Sequence, residues 1–316
     1  MSKKKNGAGL MNRTLVHIAA TLHYIDGLSQ VEVARRMQMS TASVSRLLAK
    51  AREDGVVRFV VEALDPMADD DQRLAEALGL QIVRAIDTSH QPALSSAVGN
   101  LIKDAELPSN PVITIGWGRA IQNVVGHGLP RVSNAIVVPA TGGMNQSQSH
   151  FQINEFARAA AEQMGGEAKL LYAPAQPGPD LFAQLIRDPQ IAAIMELWDR
   201  VDVSITGIGN FPDTSAESSL GFTPDEAAKV KGDIVRQYFD SHGASIAWRG
   251  QDTQIGINRS QLSRVPLSIG VCVGKEKVDA IIGSARSGMI NALVTDIRTA
   301  QLVLDRIGYS DKHNVP

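Results

Sequence analysis

The spacing of apolar positions changes character twice along this chain. From Arg13 to Asp26 (RTLVHIAATLHYID), Leu15, Ile18, Ala19, Leu22 and Ile25 recur at helical intervals and predict a helix with one buried face. Two shorter helical patterns follow. Val31, Val33, Ala34 and Met37 predict a helix over roughly 30–37, and Val44, Leu47 and Leu48 a second from Thr41 into Ala51, with a tight turn between them. The run VVRFVVEAL (56–64) is β-branched and apolar, which predicts a strand, either a wing beside the helices or the lead into a linker. LDPMADDD (64–71) breaks it with a proline and an acidic run and marks a domain boundary.

Beyond that boundary one theme repeats: an apolar strand, a glycine turn, a helix. Strands are predicted at QIVRAI (81–86), PVITIG (111–116), AIVVPA (135–140), KLLYAPA (169–175), VDVSITGIG (201–209), GASIAW (243–248), LSIGVCVG (267–274) and ALVTD (292–296). Helical patterns lie between several of them, at 154–164, 180–186, 189–198, 224–230 and 296–307. The fold class is therefore α/β, a mostly parallel sheet covered by helices on both faces, preceded by a small helical module. Such sheets hold ligands beyond the carboxyl ends of their strands.

The front module has the spacing of a helix-turn-helix, whose second helix enters the major groove of double-stranded DNA. Ala34 is small where two crossed helices approach, and Ser40 is placed to cap the second helix. The DNA-facing set comprises Ser29 and Gln30 at the start of the first helix, then Ser40, Thr41, Ala42, Ser43, Ser45, Arg46, Lys50 and Arg52. Hydroxyls and guanidinium groups suit phosphates and base edges, and short side chains let a helix sit deep in the groove. Gln38 occupies the turn position where φ is positive and glycine is often preferred, at a cost of about 1 kcal/mol. An ordinary helical hairpin with a solvated basic face is the alternative; cap, small residue and polar face agree in register against it.

Charge sharpens the division. The 316 residues carry a net charge of −2 and are 44% hydrophobic. Residues 1–61 nevertheless hold ten Lys and Arg against four acids, leaving an acidic body behind a basic front. That asymmetry localises attraction for a polyanion at one end. No apolar run is long enough to span a membrane, and MSKKKNGAGL lacks the apolar core of a signal peptide, so a frayed basic tail and a cytoplasmic protein are expected. The one cysteine, Cys272, lies in an apolar strand pattern and is expected to be buried. His17 and His23 lack neighbours at ligand spacing, so no metal is expected.

Three glycine turns follow predicted strands: Gly116-Trp117-Gly118-Arg119, Thr141-Gly142-Gly143 and Gly207-Ile208-Gly209-Asn210. Backbone N–H groups exposed there suit phosphate or carboxylate oxygens, but each glycine could equally serve turn geometry. None is a complete dinucleotide or nucleotide-phosphate motif, so no cofactor is expected. Polar groups able to complete a small-molecule site are Gln152, Asn154, Asp240 and Lys277, each with an equally good surface role, and Phe222 could be a lid or a buried anchor.

The run LSQVEVARRMQMSTASVSRLLAKAREDGVVRFVVE resembles the N-terminal motif of the SorC family of bacterial sugar-responsive transcriptional regulators. GWGRA, PATGG, LLYAPA, GIGN and VGKEKVDAIIGSARSGMINALVTD resemble that family's effector domain, in the same order. The resemblance implies a DNA-binding module joined to a Rossmann-like domain related to sugar-phosphate isomerases and CoA transferases. It also implies a sugar, polyol or phosphosugar effector and a homo-oligomer, usually a tetramer. The expected parts are a tail (1–12), a helix-turn-helix domain (13–62), a linker (63–72) and an effector and oligomerisation domain (73–316). By position, the phosphate cradle of phosphosugar-binding members falls at Gly118, Arg119 and Ala120, with Gly116 and Trp117 leading into it. The next turn falls at Thr141, Gly142 and Gly143, polar ligand positions at Gln152 and Asn154, the polar position after the G-I-G turn that ends in Gly209 at Asn210, and a phosphate-facing lysine at Lys277. Arg119-Ala120 replaces the hydroxyl pair of some members, Thr141 stands where others have a basic residue, and Val273 replaces a glycine. A free sugar or polyol, or a phosphosugar held through Arg119, are both compatible with these departures. An isomerase-like or transferase enzyme with an appended DNA module is the rival reading, but no paired carboxylate or His–Asp arrangement stands at a strand end to move a proton.

Overall fold

Helix α1 (Lys5–Ala20) opens the chain and runs into a single π turn (Thr21–Ile25). The computed structural model describes residues 5–57, 68–88, 93–144, 152–211 and 221–308, with backbone alone for 5–12 and 68–69. Residues 5–12, expected as a tail, thus begin the helix. The buried face also differs from expectation: Val16, Ala19 and Ala20 are buried, whereas Ile18 is 42% and Ile25 80% exposed. The wider π turn after Ala20 adds a residue and rotates Ile25 outward, while Ile18, which precedes it, lies off the face that Val16, Ala19 and Ala20 bury.

Helices α2 (Gln30–Arg36) and α3 (Thr41–Glu53) complete this unit. Val33 and Ala34 meet Val44, Leu47, Leu48 and Ala51 in one small core with the buried face of α1. Val31, expected in the stripe, is 57% exposed. Ser29 and Glu32 form a capping box on α2, and the Ser40 hydroxyl accepts the Ser43 N–H on α3. Gln38 between them has φ 53°, as its place in the turn requires. Most of the strand expected over 56–64 lies outside the described residues.

The chain divides into two compact units, Met1–Pro66 and Met67–Pro316. In the second, α4 (Ala68–Leu78) starts inside the stretch expected as linker. Its Asp71 is buried, accepting the Ala85 N–H on the edge strand at 2.8 Å.

Seven parallel strands form the central sheet: β1 (Ile82–Ile86), β2 (Val112–Ile115), β3 (Ile136–Pro139), β4 (Glu167–Ala168), β5 (Val203–Gly207), β9 (Leu267–Val271) and β10 (Ala292–Asp296). Their order is β1-β10-β9-β5-β2-β3-β4. Every residue of β2 and β9 is buried, the continuous apolar burial expected of strands covered on both faces. Helices α5 (Ala93–Asp104), α6 (Arg119–His127) and α7 (Ile153–Met164) bury one face, through Leu101, Ile121, Val124 and Ala157 against Ile113, Ile205 and Ile269. On the other face lie α4 and two helices, Val278–Ser287 and Ile297–Arg306, with Trp198 donating its indole N–H to the Pro139 carbonyl at 3.0 Å. From β2 the chain winds outward to β3 and β4. From β5 it winds the other way, to β9 and β10. The β2–β5 boundary is therefore the switch point of the sheet.

Two expected strands are absent. KLLYAPA leaves the sheet after Ala168, its backbone held by Asn154, whose amide donates to the Leu171 carbonyl and accepts its N–H, and by a bridge from Pro174 to Gly143. Its one proline, Pro174, lacks the N–H group a ladder needs. GASIAW contributes only a bridge between Ser245 and Phe239. A hairpin not expected from sequence supplies the second sheet instead: β6 (Gly209–Asn210), β7 (Gly232–Ile234) and β8 (Gln237–Phe239), antiparallel. Its turn residues Val235 and Arg236 have φ of 51° and 62°, a conformation that favours Gly, Asn or Asp.

Candidate functional site

A cavity of about 320 Å³ opens at the carboxyl ends of β2, β5 and β9, at the switch point. From the turn after β2 come Gly116, Trp117, Gly118, Arg119 and Ala120; from the turn after β5, Gly207, Ile208, Gly209 and Asn210. The end of β9 and the loop beyond it add Val271, Cys272, Val273, Glu276 and Lys277, and the hairpin adds Asp233 and Val235. Gly118 sits before α6 with φ 113° and gives that helix no side-chain cap. The first N–H groups of α6 therefore remain open to an acceptor at the cavity edge.

Lys277 ties two walls of the cavity together. Its ammonium donates to the Ile208 carbonyl at 2.8 Å and to Asn210 Oδ1 at 2.9 Å, joining the turn after β5 to the loop after β9. Asp233 lies close over Gly209, half-buried in the cavity wall, and its Oδ2 accepts the Arg236 N–H at 2.9 Å. Burial pushes its carboxyl above the usual carboxylate range, opposed by that N–H and by the charges of Lys277 and Arg236. Burial also pushes the Cys272 thiol up to about 12, so this cavity-lining thiol stays protonated and inert. Arg236 turns away from the cavity floor, donating to Gln176 Oε1 at 2.7 Å with its guanidinium 4.3 Å from the centre of the Trp248 ring.

Of the positions expected to bind effector, Gly116, Trp117, Gly118, Arg119, Ala120, Gly209, Asn210 and Lys277 meet in this cavity. The others lie outside its lining. Thr141 is buried and donates its hydroxyl to the Ile255 carbonyl at 2.8 Å; Gly142 and Gly143 pack against 173–175. Asn154 clamps Leu171, and Asp240 accepts the N–H groups of His242 and Ala244 in a turn. Gln152 precedes α7 on the surface, and Phe222 packs in an aromatic cluster with Phe211 and Tyr238. Asp233 and Glu276 were not singled out from sequence. Glu276 stood beside Lys277 and was readable there; Asp233 depends on a hairpin whose turn carries no turn signature.

On the N-terminal unit, Thr41, Ala42, Ser45, Arg46 and Arg52 are exposed along α3. Ser29, Ser40 and Ser43 are engaged in the caps, Ser40 Oγ and Ser43 Oγ lying 2.8 Å apart, and Gln30 is half-buried beside them. Arg46 Nε folds back to the Ala42 carbonyl at 3.3 Å, and Lys50 pairs with Asp54 at 3.3 Å, a surface contact that costs little to open. His17 is exposed and His23 bonds the Leu28 carbonyl through Nδ1, both outside any ligand cluster. Among the described residues no group of His, Cys, Asp and Glu could hold a metal, and no helix is long and apolar enough to cross a membrane.

Known proteins resemble this chain in sequence and in fold. The Sugar-bind family, described as a sugar-binding domain, matches residues 64–305. The sorbitol operon regulator of Klebsiella pneumoniae is 28% identical over 309 residues, covering 92% of this chain and 98% of that protein. The erythritol catabolism regulatory protein of Brucella abortus is 28% identical over 313 residues, covering 90% and 95% respectively. The crystal structure of the full-length sorbitol operon regulator from Klebsiella pneumoniae superposes with a TM-score of 0.74 at 26% identity, over 92% of this chain and 98% of that one. With a family match that spans most of its length and full-length likeness in both sequence and fold, the chain belongs to the sugar-binding family of SorC-type transcriptional regulators.

Proposed function

We propose that this protein is a DNA-binding transcriptional regulator of carbohydrate or polyol genes, switched by a sugar, polyol or phosphosugar held in the switch-point cavity. The observation that carries the reading is the meeting of Gly116–Ala120, Asn210 and Lys277, from three separate strand ends, around one opening. Asp233, Glu276 and Asn210 suit hydroxyl groups, while Arg119 and the start of α6 suit an anionic oxygen. The relatives that match nearly end to end are named as regulators of sorbitol, erythritol and deoxyribonucleoside genes, and the protein is a regulator and not an enzyme. Operator duplex is the second ligand, read by Thr41, Ala42, Ser45, Arg46 and Arg52 on α3. Tetrameric assembly is the state that the family resemblance implies, and sedimentation of the purified protein measures it.

The switch is linkage. An effector that binds DNA-competent and incompetent forms unequally shifts operator affinity by the factor by which DNA shifts effector affinity. A thermal-shift screen against free sugars, polyols and their phosphates tests the effector side: a true ligand at ~100 times its Kd stabilises by about 2.7 kcal/mol. Stabilisation by phosphates alone assigns Arg119 to a phosphate, stabilisation by free polyols alone assigns the cavity to hydroxyls, and no stabilisation by either class overturns the reading. On the DNA side, Arg46→Ala is expected to weaken binding to a duplex selected by the wild-type protein by about 1–3 kcal/mol, with effector stabilisation unchanged. Fluorescence anisotropy at fixed salt reads the first quantity and thermal shift the second.

A further inference from the structure

The hairpin that brings Asp233 to the cavity is built against its own sequence. Two residues, Val235 and Arg236, join β7 to β8, with Ile234 paired to Gln237 across the turn. Their φ angles are 51° and 62°, a region in which a β-branched residue is a steric outlier. A sequence selected for the turn alone would carry Asn-Gly or Asp-Gly here. Strain of this kind persists only where the surroundings over-determine it, and it concentrates at ligand sites. Val235 is 3% exposed and lines the cavity together with Asp233, so the strained backbone is itself part of the cavity wall.

The restraint comes from outside the cavity. The Val235 carbonyl accepts Gln254 Nε2 at 2.8 Å, and Gln254 Oε1 accepts Gln237 Nε2 at 3.1 Å, which fixes the start of β8. Arg236 donates its N–H to Asp233, and its side chain then reaches away to Gln176 and to the face of Trp248. Gln176 is anchored in turn, donating to the Arg249 carbonyl at 3.3 Å. Trp248 is 6% exposed and packs edge-on against the Tyr238 ring of β8, with 5.9 Å between centroids. Arg236, Gln176 and Trp248 all lie outside the cavity lining. The guanidinium therefore ties the strained turn to a rigid aromatic wall, a task that its flat face and fixed fork suit and a lysine would perform poorly. Once released, Val235 would relax toward negative φ and carry its own side chain and Asp233 out of the wall. We propose that Arg236 is a positioning residue for the cavity: clasped by Trp248 and Gln176, it holds the Val235-Arg236 turn in its strained form and so keeps Asp233 and Val235 in place. The inference rests on the reading of this cavity as the effector site.

The chain carries its own reporter. Cys272, its one cysteine, lines the same cavity and is 2% exposed, and burial keeps its thiol protonated. Opening of the wall exposes that thiol and returns it toward ordinary reactivity. The rate of N-ethylmaleimide labelling of the unliganded full-length protein, followed by mass spectrometry, therefore reads the position of the wall. No sugar is present, so the result stands apart from the thermal-shift screen that tests the effector reading. Arg236→Gly is the decisive variant, because glycine suits a φ of 62° and relieves strain while removing the clasp. Labelling is expected to accelerate by about tenfold or more, with the melting temperature unchanged or raised. Gln176→Ala, at an exposed position outside the cavity, should accelerate it by about threefold. The double variant should label no faster than Arg236→Gly alone, since both substitutions act through one clasp. Labelling of Arg236→Gly at the wild-type rate would overturn the proposal. So would an acceleration that merely tracks a lowered melting temperature, the mark of a purely structural arginine, or additive effects in the double variant.

Discussion

Gly142→Ala is expected to be among the most destabilising single-methyl additions in the effector unit, while Gly143→Ala next to it should be nearly silent. A Cβ on Gly142 would stand 2.5 Å from the Ala173 carbonyl oxygen and 2.6 Å from the Pro174 carbonyl carbon, both backbone atoms. On Gly143 the nearest atom would be 3.9 Å away. The segment 173–175 cannot step back cheaply. Gly143 donates to the Ala173 carbonyl and Ala175 to the Gly143 carbonyl, while Gly142 donates to the Ile255 carbonyl at 2.9 Å. Overpacking costs about 1–3 kcal/mol, and each buried backbone group left unpaired adds about 1–3 kcal/mol more. A total of about 4 kcal/mol lowers the melting temperature by roughly 8–16 °C for a unit of this size. Thermal unfolding of the two variants measures the contrast. If the Thr141-Gly142-Gly143 turn were instead a ligand cradle, Gly142→Ala would abolish effector stabilisation with little loss of intrinsic stability, and the two glycines would not differ in this way.

That turn shows where sequence reasoning runs out. Thr141, Asn154 and Asp240 looked like ligand groups because each is polar and close to a strand end or helix start. Each in fact satisfies backbone: the Ile255 carbonyl, the Leu171 amide pair, and the N–H groups of His242 and Ala244. Buried peptide groups must find partners, and a nearby polar side chain is often the cheapest one. Residue type and spacing do not separate that role from ligand contact, because the deciding neighbour is far off in sequence, Ile255 lying 114 residues from Thr141. What was legible rests on local physics. Ser40, Gln38 and the stripe Val44–Leu47–Leu48 define the second helix of the turn motif within a dozen residues. Strands such as ALVTD, wholly apolar apart from their ends and bounded by turn residues, stand where they were expected. The Val235-Arg236 turn was not legible, since a β-branched residue at positive φ contradicts turn chemistry. Asp233, which that hairpin carries into the cavity, was missed with it. The outward turn of Ile25 has a related reason: one π turn after Ala20 changes the helical period there.

Lys277→Ala should remove effector binding while leaving operator binding in the absence of effector, the converse of Arg46→Ala. The ammonium makes two charge-assisted bonds, to Ile208 and Asn210, and so fixes the wall that Asn210 presents to the cavity. Loss of a charged hydrogen-bonding group costs about 1.5–3 kcal/mol, or roughly 10- to 150-fold in affinity. Asn210→Ala keeps the bond to the Ile208 carbonyl and should cost less. Calorimetric titration with whichever sugar or phosphate stabilises the wild type measures both; undiminished binding by Lys277→Ala would remove the cavity as the effector site. The variant also carries a pH signature. Burial holds the Asp233 carboxyl above its ordinary range, and the Lys277 charge works against that shift. Without Lys277 the folded-state value rises further. A carboxyl whose folded value lies above its unfolded one favours folding fully at pH below the unfolded value, and that contribution is lost as pH rises through the folded one. The stability deficit of Lys277→Ala relative to wild type should therefore be largest at neutral pH and shrink on acidification. Combining it with Asp233→Asn should flatten that dependence, because no buried carboxylate then remains beside the missing ammonium. A deficit independent of pH in the single variant would mean that Lys277 acts on the cavity only through its bonds to Ile208 and Asn210, and not as the counter-charge of Asp233.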